Sequence, residues 1–577
     1  MKSRLKVTCT ARAVVRRAIG DSIAGLVMVR PLVREGWLDV TDVVEGARIE
    51  RMPQHAASAG TSRIPRVGRP PAPDPSLPQP PDDVEKYSYV NRRAMLLIWA
   101  SVVSFGFLIY SQVRMIEVSA WFWAYLPFLT FTIGYFAVSL VVNAAAKDFD
   151  LVAHRAVVDS WRPAVYPSVD VLLPVCGEPV EVLRNTWTHV ALMAAHYRGE
   201  VNVYVLDDSD SPQLRRMAQE FGYVYAGRSN RGWYKKAGNL LYGYRISRGE
   251  FILLLDADFA PRPDMLDETL PHMQDPSVGI VQTPQFFRVL DSQNWLERGA
   301  GAVQELFYRS VQTSLSRYDG AICVGTCAVY RRAALDDNGG MTLIEHSEDV
   351  HTGFDLYLRG WRLKYLPIAL STGVCPDNLA AYVNQQYRWC SGNMSMLGSR
   401  KFWHAKLPFR VRLSYLSGFF YYVHTALMTF VLPIVPIALL IGLPQDLQIT
   451  NLIYVVPGLI YAGVIFPLWH RAPYRLEAYA CRMVYGWAHV FTIWDVLRNN
   501  RMGWQPSGSS SKKQGRNKRF WIGMIGWTAV TAAVWVGLCL WRMYTMDPFN
   551  FMVLLASGLF YAATAARVLA RPNPAAA

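Results

Sequence analysis

Phe251-Ile252-Leu253-Leu254-Leu255 runs straight into Asp256-Ala257-Asp258. Five apolar residues without polar alternation, closed at once by two acids, predict a strand buried on both faces that opens onto a solvent edge. Three more runs of strand length lie nearby: Val169–Val175, Val201–Leu206 and Gly279–Gln282. Helical periodicity fills the gaps at Val180–His196 and Pro212–Phe221. Strand–helix alternation predicts an α/β domain with a doubly wound, mainly parallel sheet, whose ligands bind beyond the carboxyl ends of the strands. The acids obey that rule. Asp207-Asp208 follow one strand directly, and Asp256 and Asp258 follow another.

Two carboxylates just past a buried strand suit a hard divalent cation, which typically bridges substrate phosphates. Taken alone, Asp-x-Asp equally suits the cap of a turn. Lys236-Ala237-Gly238-Asn239 offers a cation and a closely approaching backbone to a phosphate. Neither GxGxxG nor GxxxxGKS occurs, so the dinucleotide and Walker-type phosphate fingerprints are missing. Further on stand Glu348-Asp349 and Gln385-Gln386-Tyr387-Arg388-Trp389. On a helix, Gln385, Arg388 and Trp389 share one face, joining an amide, a diphosphate-seeking guanidinium and a flat ring suited to a sugar. The same face also suits an interfacial helix with a snorkelling Arg.

The surroundings are apolar. The 577 residues are 52% hydrophobic and only 18% charged, below the roughly 25% usual for a soluble protein, which excludes a disordered or fibrous chain. Two stretches, Ala94–Val113 and Trp121–Val142, precede the α/β region; Tyr415–Ile441, Ile449–Trp469, Trp521–Trp541 and Phe549–Val568 follow it. Each is near the ~20 residues a helix needs to cross a bilayer. The net charge of +15 concentrates in segment 471–519, where ten Lys and Arg face only Glu477 and Asp495. Positive residues favour the cytoplasmic side, which predicts both termini and the α/β region inside the plasma (inner) membrane and argues against nucleic-acid binding. Tyr474–Arg498, interrupted by Arg482, His489 and Asp495, reads as an interfacial helix. The eight scattered Cys suggest neither a zinc ribbon nor a disulfide scaffold. Cys323 and Cys327 read as packing rather than a metal site. The expected domains are a largely disordered basic and Pro-rich segment 1–92, spans in 93–143, the α/β domain in 144–406 and spans in 407–470. A cytosolic helix and loop in 471–519 and spans in 520–577 complete them.

Asp207, Asp256-Ala257-Asp258, Glu348-Asp349 and Gln385-x-x-Arg388-Trp389, in this order and flanked by spans, resemble the D, DxD, TED and QxxRW series of processive family 2 glycosyltransferases of the cellulose synthase type. Val175-Cys176-Gly177-Glu178-Pro179, Lys236-Ala237-Gly238-Asn239 and Val324-Gly325-Thr326 resemble three accessory motifs of that family. The resemblance covers roughly Val169 to Ser399 and implies a GT-A fold, a UDP-sugar donor, inversion at the anomeric carbon and extrusion of the growing chain through the spans; the triplet Ser347-Glu348-Asp349 resembles the cellulose-like branch, which favours UDP-glucose and a β-glucan. It implies that Glu178, Asp207 and Lys236 contact the nucleotide and that Asp256 and Asp258 hold Mg2+ or Mn2+ against the diphosphate. It makes Asp349 the general base, sets Gln385 and Arg388 on the diphosphate, and lines the acceptor with Trp389, Gly325, Thr326 and Glu348. Accessory export subunits or a homo-oligomer are possible partners beside the bilayer.

The bottom-up chemistry agrees, because UDP leaves readily and one base then suffices to take the acceptor proton. Two departures stand out. Ser347 replaces the usual Thr of the triplet, and Trp504-Gln505-Pro506-Ser507-Gly508 with the following Ser and Lys residues stands where the family has its gating loop. About ten residues follow the last stretch, so no cyclic-di-GMP-sensing domain is expected there. The alternatives are a synthase of a mixed-linkage or 1,3-β-glucan or of another UDP-sugar polymer, a non-processive lipid glycosyltransferase, and a decayed scaffold or transporter.

Overall fold

The computed structural model describes residues 72–118, 120–144, 148–499 and 514–570. The loop at 504–513, the basic start and residues 571–577 lie outside them. In chain order come two long helices, α1 (Ala94–Val118) and α2 (Leu126–Ala144), and the shorter α3 (Leu151–Ser160). The α/β domain then runs β1 (Val169–Val175), α4 (Val180–His196), β2 (Val201–Asp207), α5 (Pro212–Phe221), β3 (Val224–Ala226), α6 (Lys235–Ile246) and β4 (Phe251–Leu254). It continues with β5 (Ala260–Pro261), β6 (Val278–Gln282), β7 (Phe286–Phe287), α7 (Trp295–Glu305), β8 (Ala328–Arg331), α8 (Glu348–Leu358), β9 (Arg362–Tyr365) and β10 (Ser371–Gly373). Helices α9 (Leu379–Leu397), α10 (Arg400–His404) and α11 (Phe409–Gly442) lead out of it. Beyond a broken helical stretch at Ile449–Trp469 lie α12 (Leu476–Leu497), α13 (Gln514–Thr545) and α14 (Met552–Leu569).

Seven strands form one sheet in the order β3-β2-β1-β4-β8-β6-β9, and β5-β10-β7 form a small second one. All neighbours in the large sheet are parallel except those of β8, which runs antiparallel to β4 and β6. The expected mainly parallel sheet is therefore present, with one reversed strand that local periodicity does not reveal. Val169, Val171, Leu172 and Leu173 of the central β1 are completely buried, each contributing about 1.5–3 kcal/mol of burial. The local signals for the helices are conventional. Pro212 opens α5 with Ser211 as its N-cap, and Gly222 in the left-handed region closes it. Register matters for the site: Val175 pairs with Asp207 and Leu172 with Leu254. Glu178, Asp207 and Asp256 thus all emerge at the carboxyl edge of three adjacent strands.

Among the described residues, six helices are long and apolar enough to cross a membrane by length and composition, two before the domain and four after it. Helix α12 is not one of them. It buries Cys481, Val484, Trp487 and His489, and Tyr387 of α9 donates from its hydroxyl to Asp495 at 3.0 Å. Glu305 and Arg309 join the domain to the spans. The Glu305 carboxylate pairs with Arg309 at 2.7 Å and accepts the backbone N–H groups of Arg471 and Ala472. Arg309 in turn donates to the Asn91 and Trp469 carbonyls and lies over the Trp469 ring.

The expected disorder through residue 92 does not extend over the described part of that segment. Asn185 donates to the Pro78 carbonyl at 2.8 Å, Arg262 pairs with Asp83 at 2.9 Å and Arg288 with Glu85 at 2.7 Å. Lys86 is buried against Asp264 (2.6 Å) and Glu268 (2.5 Å). Glu268 also takes His154 of α3 at 2.7 Å, whose other ring nitrogen meets His272 at 2.9 Å. Composition alone signals an extended linker here. Complementary charges on the domain surface, distant in sequence, convert it into a strap.

Candidate active site

Asp256 and Asp258 occupy the turn after β4. Lys236, in the first turn of α6, bonds to Asp256 Oδ1 and donates to the Gly325 carbonyl at 3.0 Å; its Nζ is 3.9 Å from Glu348 Oε1. Burial works against the Lys236 charge, but Asp256 and Glu348 outweigh it and hold its pKa above the ordinary value. Thr326 Oγ1 accepts from the Asp256 backbone N–H at 2.8 Å and fixes the start of the turn.

Gly325 sits at φ +72° with its Cα turned to Asp349; a Cβ there would come within 2.7 Å of Asp349 Oδ2. Only glycine both adopts this conformation without strain and lets the loop approach the carboxylate so closely. Asp349, in the first turn of α8, accepts the Val350 backbone N–H at 2.8 Å. Loss of water and the neighbouring Glu348 push its pKa up to about 7, against the pull of Lys236. Asp258 is likewise pushed up to about 7, by burial first and then by Asp256.

Helix α9 presents Gln385, Arg388 and Trp389 partly buried while Gln386, Tyr387 and Cys390 are buried, so the three share the more accessible face. Burial lowers the Arg388 pKa, opposed by the charges of Asp256, Glu348, Asp258 and Asp349. Helices α8 and α9 lie against each other at Gly392, where a Cβ would stand 1.8 Å from Ser347 Oγ. One cleft therefore gathers Lys236, Asp256, Asp258, Gly325, Glu348, Asp349 and Arg388, with Thr326 fully buried behind it.

The other expected positions differ. Glu178 folds back to accept the Cys176 backbone N–H at 2.6 Å, and burial raises its pKa. Asp207 is buried and spends both oxygens on its own turn, accepting from Ser209, from the Ser211 N–H and from the Tyr225 hydroxyl. Arg228 is a residue that motif reading misses. It is buried, pairs bidentately with Asp208 at 2.7 and 2.6 Å, and donates to the carbonyls of Trp233 and Lys235. It thereby sets the two left-handed residues, Tyr234 and Lys235, that aim Lys236. The acid-rich turn Asp207-Asp208 and a lone Arg twenty residues later are its only trace in sequence. Cys323 and Cys327 bond separately to Tyr330 and Ser371, consistent with packing.

Among the described residues, no three His, Cys, Asp or Glu side chains gather closely enough to hold an ion by themselves. Asp256 and Asp258 nevertheless fit a hard cation, since they offer only carboxylate oxygen and leave the remaining positions to a diphosphate and water.

Residues 251–443 match the sequence profile described as Glycosyl transferase family group 2. Within that stretch the chain resembles the family 2 glycosyltransferases. The chain is 32% identical over 240 residues to a cellulose synthase catalytic subunit [UDP-forming] of Komagataeibacter sucrofermentans, covering 41% of this chain and 31% of that protein. It is 29% identical over 273 residues to the corresponding subunit of Xanthomonas axonopodis pv. citri, covering 46% and 35%. The matches thus span about a third of those relatives' length. A solved mannosyltransferase of Pyrobaculum calidifontis, in complex with GDP-Man and Mn2+, superposes at TM-score 0.44 with 17% identity over 64% of this chain and 98% of that one.

Proposed function

We propose that the chain is an inverting, processive transferase that builds a β-glucan, with cellulose the leading candidate, from UDP-glucose and moves it through its own spans. The observation that carries this reading is the single cleft in which Lys236, Asp256, Asp258, Asp349 and Arg388 converge. Asp349 takes the proton from the acceptor hydroxyl as the sugar is transferred, and its raised pKa suits a base that works near neutrality. Gly325 lets its loop pack directly against that carboxylate. Arg388 and Gln385 receive the diphosphate from the α9 face, and Lys236 adds positive charge beside Asp256. Mg2+ or Mn2+, held by Asp256 and Asp258, supplies neutralisation of the charge that develops on the departing UDP. One base suffices, because UDP leaves readily without a proton from an acid. Glu178 and Asp207 border the nucleotide end, while Trp389, Thr326 and Glu348 border the acceptor. The cytoplasmic side holds the domain and both termini.

The test uses purified full chain in lipid nanodiscs with radiolabelled UDP-glucose and Mg2+. A high-molecular-weight product fully digested by a 1,4-specific endoglucanase is expected. A polymer that resists digestion moves the linkage to 1,3 or mixed. No polymer from any UDP-sugar would overturn the reading.

A further inference from the structure

Where the chain leaves the α/β domain, large apolar side chains alternate between a packed core and open surface. Phe402 and Val411 are buried, at 0% and 2% exposure. They pack with Val142, Phe354 and Phe419, and Ile493 and Val496 of α12 pack against the same cluster. Their immediate neighbours point the other way: Trp403 is 47% exposed, Phe409 76% and Trp494 52%. The backing is rigid. Lys401 pairs with Asp355 of α8 at 2.5 Å, Trp403 donates to the Leu397 carbonyl at 2.7 Å, and Arg412 donates to the Ala405 carbonyl at 2.7 Å.

Three cations stand among these exposed rings. Arg400, Lys406 and Arg410 are exposed, and among the described residues none of them pairs with a carboxylate. Arg410 lies over the Tyr318 ring at 5.4 Å. Helix α11 has 34 residues, roughly 50 Å at 1.5 Å per residue, against a hydrocarbon core of about 30 Å. Its first turns, which carry Phe409 and Arg410, therefore stand at headgroup level. Exposed aromatic rings beside uncompensated cations are a liability in water, but they complement an interface of acyl chains and anionic headgroups.

We propose that this platform, built from α10, the start of α11 and the end of α12, binds the headgroups of anionic phospholipids. The rings enter the acyl boundary, and Arg400, Lys406 and Arg410 receive the phosphodiesters. The inference stands apart from the transferase reading, because it needs no substrate in the cleft.

The test is native mass spectrometry of the full chain in detergent, with equimolar dioleoylphosphatidylglycerol and dioleoylphosphatidylcholine. The wild type is expected to retain the anionic lipid at least about fivefold over the zwitterionic one. Arg400→Gln/Lys406→Gln/Arg410→Gln is expected to bring that ratio close to one, whereas Arg400→Lys/Arg410→Lys preserves it. An unfolding midpoint equal to that of the wild type reports that the triple variant is folded. A wild-type ratio in the triple variant, no preference in the wild type, or displacement of the lipid by free inorganic phosphate would each overturn the proposal.

Discussion

Lys86, Asp264, Glu268 and His154 form one cluster of buried charge in this domain; Lys236, Asp256, Asp258, Glu348, Asp349 and Arg388 form another. In the first, which Arg262 completes, two permanent cations, Lys86 and Arg262, meet the two acids Asp264 and Glu268. Burial raises the Asp264 pKa, but Arg262 and Lys86 overcome it and bring the carboxyl down to about 2; Glu268 is lowered in the same way by His154 and Lys86. In the second, four carboxylates share two cations, and Asp258 and Asp349 are driven up to about 7. Balanced charge holds shape, and surplus charge waits for a ligand or a proton. Both sets contain the same residue types, so the ratio of partners separates scaffold from chemistry.

Four experiments break or sharpen this contrast. The largest effect is expected from Asp349→Asn, which should lower polymer synthesis by about 10²–10⁴-fold, the usual worth of a general base. UDP affinity measured by calorimetry should stay at the wild-type value, and an equal loss of affinity would reject Asp349 as the base. Glu268→Gln attacks the balanced cluster instead. Removing one partner of a buried pair costs about 3–5 kcal/mol, so the unfolding midpoint should drop sharply while the folded fraction binds UDP normally; a weakened site with an unchanged midpoint would erase the distinction. Asp256→Asn should reduce Mg2+-dependent UDP affinity by at least about tenfold, and titrations without the ion should show little difference between variant and wild type.

The smallest effect comes from pH. A base with pKa about 7 is roughly 90% ionised at pH 8 and 10% at pH 6, so turnover should fall about tenfold between them. Stability should not follow. The depressed Asp264 pKa contributes stability that is present above its ordinary value of 3.8 and is lost only as pH falls towards 2. The raised Asp349 pKa makes the folded state bind the extra proton between about 4 and 7, so acidification in that window favours folding. Burial holds the His189 and His272 pKa values down to about 4 and about 3, which works against folding in the same window, so the contributions oppose each other and the unfolding temperature should change far less than activity from pH 7.5 to 5.5. A parallel fall in activity and stability would mean that acid simply unfolds the domain.

Much of the scaffold was legible because its signals are local. The observed α4 and α5 coincide with the periodic segments Val180–His196 and Pro212–Phe221, and β1 with the run Val169–Val175. The reversal of β8 was not legible, since four residues of Ala-Val-Tyr-Arg carry no direction. Nor was the strap at 74–92, whose partners Arg262, Arg288 and Glu268 lie nearly two hundred residues away. At the site, Asp256, Asp349 and Arg388 come together as their motifs imply. Asp207 shows the limit: its motif marks the right edge of the sheet, yet the hydroxyl and N–H donors in its own turn and on β3 occupy the carboxylate. Arg228 escaped because a buried ion pair looks the same in sequence as a surface one.

A machine that pushes a polymer across a barrier must be braced. Whatever work is done on the moving strand returns as an equal and opposite load on the joint between motor and frame. Under the proposed function that joint would be the Glu305–Arg309 pair, whose carboxylate grips the chain just after Trp469 and whose guanidinium grips it just before α1. Recoil from each added sugar would be carried by charge-assisted bonds at both ends of the frame rather than by a flexible hinge.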